Sequence, residues 1–188
     1  MRHIILISGF SKSGKDLMAD YLVDYKKFKK YAIAESLKEI VAKKYNIDHN
    51  LTLTQDGKST ITNTGFTVRD LLIKAASDLK KSINIDVFIT DTCNKIANED
   101  IISMKLKQPL LDIVISDFRY INEYNYIRKK YTDTDTKVLT VRINRFNKSP
   151  IDSDSETQLD KFKFDYYYEN KASIFAFYYA IEEFIRSL

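Results

Sequence analysis

The chain has no tryptophan, one cysteine, two prolines and four glycines in 188 residues. A lone Cys93 excludes an internal disulfide, and two histidines as far apart as His3 and His49 do not make a zinc site. Apolar runs such as Ile4 to Ile7 and Ile113 to Ile115 are strand-sized, far below the roughly 20 residues that a bilayer requires. The first of them is too short for the apolar core of a secretory signal, and a Gly-Lys loop follows it instead of a cleavage site, so the expected location is cytoplasmic. Thirty basic against 26 acidic residues give a net charge of +4. With no basic helix or aromatic-basic stripe, that charge does not predict a nucleic-acid partner. What remains is a chain with 44% hydrophobic and 30% charged residues, ample for one globular domain.

Patterning predicts alternating strands and helices. Ile4 to Ile7, apolar at every position, reads as a strand buried on both faces, and Leu17, Met18, Tyr21, Leu22 and Tyr25 then recur at helical spacing. Lys26, Lys27, Lys29 and Lys30 read as the solvated end of that helix, with phosphate handling as the other use. Tyr31 to Ala34 is a short strand candidate, and Ser36 is placed as the cap of a helix through Leu37, Ile40, Val41 and Tyr45. The polar stretch Asp48 to Gly65 reads as a long, mobile loop. Thr67 caps a helix through Val68, Leu71, Leu72, Ala75 and Leu79, and another runs from about Asp86 to Ala97. Further strands are expected at Leu110 to Ser116, Lys137 to Ile143 and Phe164 to Tyr168. Helices are expected at Tyr120 to Tyr131 and from Ile174 to Ile185, and Asp152 to Lys161 reads as a loop with a short helix. This alternation implies an α/β fold, a parallel sheet covered by helices on both faces.

Scarce glycine makes its placement informative. Gly9-Phe10-Ser11-Lys12-Ser13-Gly14-Lys15 satisfies G-x-x-x-x-G-K between a buried strand and a helix start, the context a phosphate-binding P-loop requires. Backbone N–H groups of such a loop curl around phosphates, the following helix presents its positive end, and the lysine reaches the β- and γ-phosphates. Position 16 is Asp in place of the usual Ser or Thr that binds Mg²⁺. A carboxylate beside a polyphosphate is repulsive unless a cation lies between them, so Asp16 reads as a Mg²⁺ holder, with a favourable first-turn acid as the plainer reading.

Asp117 and Arg119 follow the second buried strand, at the carboxyl end of the sheet where ligands of open α/β sheets sit. Asp117 is a candidate Mg²⁺ or water-positioning acid, or else a helix cap, and Arg119 a candidate phosphate clamp. Arg69, Arg142 and Arg145 are further candidates, since arginine's planar fork suits the charge on a transferring phosphoryl group.

Four segments occur in order: Gly9 to Asp16 with its Gly-Lys-Asp ending, Thr67 to Leu72, Ile115-Ser116-Asp117-Phe118-Arg119-Tyr120-Ile121-Asn122-Glu123, and Ser155-Glu156 followed by Phe164-Asp165-Tyr166. Together they resemble the phage-type deoxynucleoside monophosphate kinases over nearly the whole chain. The resemblance implies a three-layer P-loop fold with about five parallel strands. It also implies one domain over residues 1–188, with an acceptor-binding helical insert at about 36–100 and a lid at about 143–160. The implied substrates are ATP and a (deoxy)nucleoside monophosphate, converted to the diphosphate with Mg²⁺, in a homodimer. Gly9, Ser11, Lys12, Ser13, Gly14, Lys15, Asp16, Arg142 and Arg145 would serve ATP, the last two as lid cations. Lys38, Arg69, Phe88, Arg119, Glu123 and Glu156 would serve the acceptor, with Phe88 as a base-stacking platform in place of the family's tryptophan. Lys15, Asp16, Asp117 and Arg119 would be catalytic, and Asp16 and Asp117 would hold the metal.

The same superfamily contains the animal-type phosphomevalonate kinases, whose loop likewise ends Lys-Ser-Gly-Lys-Asp. Here Asp117-Phe118-Arg119 followed by Asn122-Glu123 is closer to the nucleotide branch than to the double arginine of the mevalonate branch. A third reading is a nucleotide-binding module without transfer activity, against which the acceptor-side arginines argue.

Overall fold

Four consecutive residues, Ile4 to Ile7, are wholly buried at the centre of the sheet, as a strand flanked on both sides and covered on both faces must be. They belong to β1 (Arg2–Ser8). The computed structural model describes residues 1–145, 158–171 and 173–188. After β1 come α1 (Lys15–Lys26), β2 (Lys29–Tyr31), α2 (Glu35–Tyr45), a 3₁₀ turn (His49–Thr52), α3 (Gln55–Ser59), α4 (Val68–Ser82) and α5 (Val87–Lys105). There follow β3 (Ile113–Ile115), α6 (Ile121–Tyr131), β4 (Thr136–Arg145), β5 (Tyr166–Asn170) and α7 (Ile174–Arg186). No helix among the described residues is long and apolar enough to cross a membrane.

The chain divides into two compact units, Met1–Ala32 with Ala97–Leu188, and Ile33–Ile96. The first holds a five-stranded sheet in the order β2-β3-β1-β4-β5, with every pairing parallel. Its core joins Ile5, Ile7, Val114, Val141 and Ile143 from the sheet to Met18 and Leu22 of α1 and to Phe177, Ile181 and Phe184 of α7. The second unit is helical and buries Leu37, Val41, Val68, Leu71, Ala75, Ile89, Cys93 and Ile96.

The differences from the sequence reading have identifiable physical causes. Asp48 to Gly65 is no long loop: Asp48 and Thr54 accept from the backbone N–H groups of Asn50 and Gly57, starting the 3₁₀ turn and α3, and Thr52 is fully buried. The second strand lies earlier than expected, so Lys29 and Lys30 belong to β2, whereas Lys26 ends α1 and bonds Glu182. α2 begins at Glu35 behind Ala34, which leaves Ser36 inside the first turn. α5 runs on to Lys105 because its acidic residues find cations: Asp100 bonds Arg2 at 2.7 and 2.8 Å, and Glu99 pairs with Lys29 at 3.4 Å. β3 is only three residues long, since the Asp112 carboxylate takes the His3 N–H and its carbonyl takes the Lys29 N–H, while Leu110 and Leu111 are exposed. β5 starts after Asp165, whose Oδ2 accepts from both N and Oγ1 of Thr140 while its own N–H donates to Thr140 Oγ1. The Phe-Asp signature thus fixes the start of the last strand.

Candidate active site

Gly9 to Gly14 forms a tight bowl at the carboxyl end of β1. Gly9, Lys12 and Gly14 all have positive φ, at 148°, 60° and 112°. At Gly9 a Cβ would collide with the Ile143 carbonyl and stand 2.6 Å from Ser13 Oγ, so only glycine fits. At Gly14, the N-cap of α1, a Cβ would stand 2.7 Å from Asn170 Nδ2. No described side chain caps that helix end. Ser13 Oγ is buried with no hydrogen-bond partner among the described residues. Successive amides in left-handed and right-handed turns, set on a helix N-terminus, form an anion cradle. Lys15 Nζ donates to the carbonyl oxygens of Gly9 (2.7 Å) and Phe10 (2.8 Å), holding a positive charge across the bowl. A cleft of about 540 Å³ opens here, lined by Lys12, Ser13, Gly14, Lys15, Asp16, Leu17, Arg145, Asn170 and Ile174.

Asp16 lies in the first turn of α1, exposed, with Lys30 Nζ at 3.3 Å. Lys30 also bonds Asp20 at 2.8 Å. Partial burial opposes the charge on Lys30, but the Asp20 hydrogen bond and the fields of Asp16 and Asp20 outweigh it and raise its pKa. Among the described residues no group of three His, Cys, Asp or Glu gathers to make a metal cage. Mg²⁺ does not need one: it takes one or two carboxylates and completes its shell with phosphate oxygens and water, and Asp16, on the wall of the cleft, is a carboxylate of that kind.

The second cluster follows β3. The Phe118 N–H donates to the Ile7 carbonyl at 3.2 Å, which ties the Asp117–Arg119 turn to the end of β1 from which the phosphate loop departs. Asp117 and Arg119 are half-buried. Glu123, in the first turn of α6 and buried, accepts from the backbone N–H groups of Arg119 (2.8 Å) and Tyr120 (3.0 Å) with Oε2. Its carboxylate therefore fixes where the Arg119 backbone sits.

The two arginines of β4 part company. Arg145, exposed at the end of the strand, lines the cleft and donates to the Lys12 carbonyl at 3.2 Å. Arg142 is buried, bonds Ser8 Oγ and Asp160 Oδ1, and is not among the residues that line the cleft. Glu156 and most of the expected lid lie outside the described residues.

In the second unit, Arg69 opens α4 and donates from Nη2 to Gln55 Oε1 at 2.7 Å. Lys38 of α2 pairs with Glu35 at 3.0 Å. Thr67 and Asp70 form a capping box at the start of α4, and the bonds from the Thr67 hydroxyl and N–H hold the Asp70 carboxyl below its usual pKa. Phe88, in α5, is 7% exposed and lies next to the buried Ile89.

Residues 3–67, from β1 to the cap of α4, match one family model. That family is deoxynucleotide monophosphate kinase. Among curated sequences none matches the chain. A dephospho-CoA kinase from Campylobacter jejuni superposes with a TM-score of 0.50 at 13% identity, over 99% of this chain and 96% of that one. A protein from Chloroflexus aurantiacus assigned as a kinase gives 0.50 at 10% identity, over 99% and 97%. Likeness at such low identity establishes the fold, that of P-loop kinases. The family model matched over residues 3–67 is that of a nucleotide kinase, and no comparison points to the mevalonate branch.

Besides Leu17, which like Ile174 was read only as a helix position, two lining residues escaped the sequence reading of the site. Asn170, whose Nδ2 donates to the Ser13 carbonyl at 2.8 Å, and Ile174 belong to no motif. Their signal was positional only, the turn after the last parallel strand.

Proposed function

We propose that the protein transfers the γ-phosphoryl group of ATP to a deoxynucleoside monophosphate, giving ADP and the deoxynucleoside diphosphate. The observation that carries this reading is the built phosphate cradle, with Lys15 Nζ held over it by the Gly9 and Phe10 carbonyls.

The loop amides and the N-terminus of α1 take the β- and γ-phosphates of ATP, and Lys15 exchanges its two carbonyl partners for phosphate oxygens. Arg145 adds charge at the mouth of the cleft. Asp16 and Asp117 would hold Mg²⁺, which when bound would supply neutralisation of charge on the phosphates. By the resemblance, Arg69 and Lys38 would bind the acceptor's phosphate and Arg119 would neutralise charge on the transferring group. An oxygen of that phosphate is already ionised and nucleophilic, so no side chain has to act as a strong base. It forms a bond to the γ-phosphorus as the bond from that phosphorus to the β–γ bridging oxygen breaks, and ADP leaves. The work of the protein is positioning and charge neutralisation. The setting carried over from the resemblance is a cytoplasmic homodimer.

The test is an ADP-release assay with each deoxynucleoside monophosphate and with phosphomevalonate as the control. Turnover of at least one nucleotide and none of the control is expected. ATP binding without turnover of any nucleotide contradicts the assignment.

A further inference from the structure

Arg142 is an anomaly among the arginines of the first unit, because its guanidinium sits between aromatic rings under the phosphate loop. It is 7% exposed, 4.7 Å from the centroid of Phe10 and 5.7 Å from that of Phe164. Its Nη1 donates to Ser8 Oγ at 3.3 Å and its Nη2 to Asp160 Oδ1 at 3.2 Å. Phe10 is the second residue of the loop and one of the two whose carbonyl holds Lys15. Asp160 and Phe164 belong to the segment that leads into β5. Phe164 in turn meets the ring of Phe118, between Asp117 and Arg119, edge-on at 6.1 Å.

We infer that Arg142 is a positioning residue: it holds the phosphate loop in its binding form through Phe10 and couples that loop, through Asp160 and Phe164, to the segment before β5. A guanidinium facing a ring, with two of its hydrogen-bonding edges occupied, has a defined place that a lysine ammonium cannot copy. Direct contact with a nucleotide phosphate would require it to leave this place. The loop carries positive φ at Gly9, Lys12 and Gly14, so its shape depends on what surrounds it. When only a fraction of molecules hold the binding form, apparent affinity falls by that fraction for every ligand that uses the loop. Loosening the loop therefore weakens ADP and ATP alike, whereas deleting a γ-phosphate ligand weakens ATP selectively.

The inference rests on the reading of the loop as a nucleotide site, and the experiment has one arm that needs no nucleotide. In the ligand-free protein, Arg142→Met should raise amide exchange of residues 10–14 about tenfold while leaving that of α1 beyond its first turn unchanged. In the second arm, Arg142→Met and Arg142→Lys should both weaken ATP and ADP by the same factor of about ten, raising KM for ATP with little change in kcat. Phe10→Leu combined with Arg142→Met should cost no more than the worse single change. Asp160→Asn, a substitution at a half-exposed partner that leaves the fold intact, should move the same readouts in the same direction by less. Unchanged exchange of the loop in Arg142→Met overturns the inference whether or not nucleotide binds. So does a loss confined to ATP that Arg142→Lys restores, since that is the behaviour of a phosphate ligand. A wild-type protein that binds neither nucleotide refutes the nucleotide site, and the exchange arm still decides the role of Arg142.

Discussion

Lys15 Nζ lies 2.7 Å from the carbonyl oxygen of Gly9, so the side chain that nucleotide phosphates would claim bridges back to the first residue of its own loop. The bowl is in this way closed around a positive charge before any ligand arrives. A charge held in place needs little reorganisation when the transferring group passes it, which is the condition for electrostatic catalysis.

Lys15→Ala should lower kcat by about 10²–10³-fold, the scale for removing one charge-stabilising group at a reacting centre. Its partners are loop carbonyls beside an open cleft, so the thermal midpoint should stay near that of the wild type. Steady-state kinetics and a thermal melt on the same preparation check both halves.

Gly9→Ala should destabilise the protein by about 1–3 kcal/mol, because a residue with a Cβ is strained at this φ and would press on the Ile143 carbonyl of β4. Nucleotide affinity should fall with it. A denaturant titration alongside a binding titration measures the two effects together.

Arg69→Ala should raise KM for the acceptor about 10- to 100-fold, the loss expected for charge-assisted hydrogen bonds to a phosphate, with KM for ATP nearly unchanged. Initial rates with each substrate varied in turn separate the two constants. An equal rise in both constants would remove Arg69 from the acceptor site.

Acid stability should depend on Glu182. Bonds from Tyr21 Oη (2.6 Å) and Lys26 Nζ (2.9 Å) hold its carboxyl below the ordinary value. The same carboxylate pushes the Tyr21 hydroxyl up to about 12. The folded state therefore binds fewer protons at this carboxyl than the unfolded state does. Its contribution is present above the unfolded value of about 4 and is lost as pH falls through the lower folded value. Glu182→Gln should flatten the loss of stability between about pH 5 and about pH 3, which unfolding curves across that range would show.

The parts of this molecule that were legible in its sequence were those dictated locally. Ile4 to Ile7 announced a central strand because each residue is apolar, and the Gly9–Lys15 spacing announced a phosphate loop because only glycine suits Gly9 and Gly14. Thr67 marked a helix start because its cap is local, and the structure completes it with Asp70 as a capping box. What was not legible depends on partners far along the chain. Asp100 continues α5 because Arg2 meets it, and β5 begins at Tyr166 because Thr140 pins Asp165. Asn170 reaches the loop, and Phe164 reaches Arg142, through the parallel pairing of β4 with β1 and β5. Asp48 to Gly65 looked like a loop because its Thr, Asn and Asp residues signal turns and caps equally, and here they cap.

If the phosphate cradle passes a phosphoryl group to a nucleotide, the γ-phosphorus can be followed from donor to acceptor. With γ-³²P-labelled ATP, Mg²⁺ and each deoxynucleoside monophosphate in turn, the label should appear in a deoxynucleoside diphosphate for at least one acceptor and vanish with Lys15→Ala. Label that stays in ATP, or that is recovered only as inorganic phosphate with every acceptor, would contradict the account.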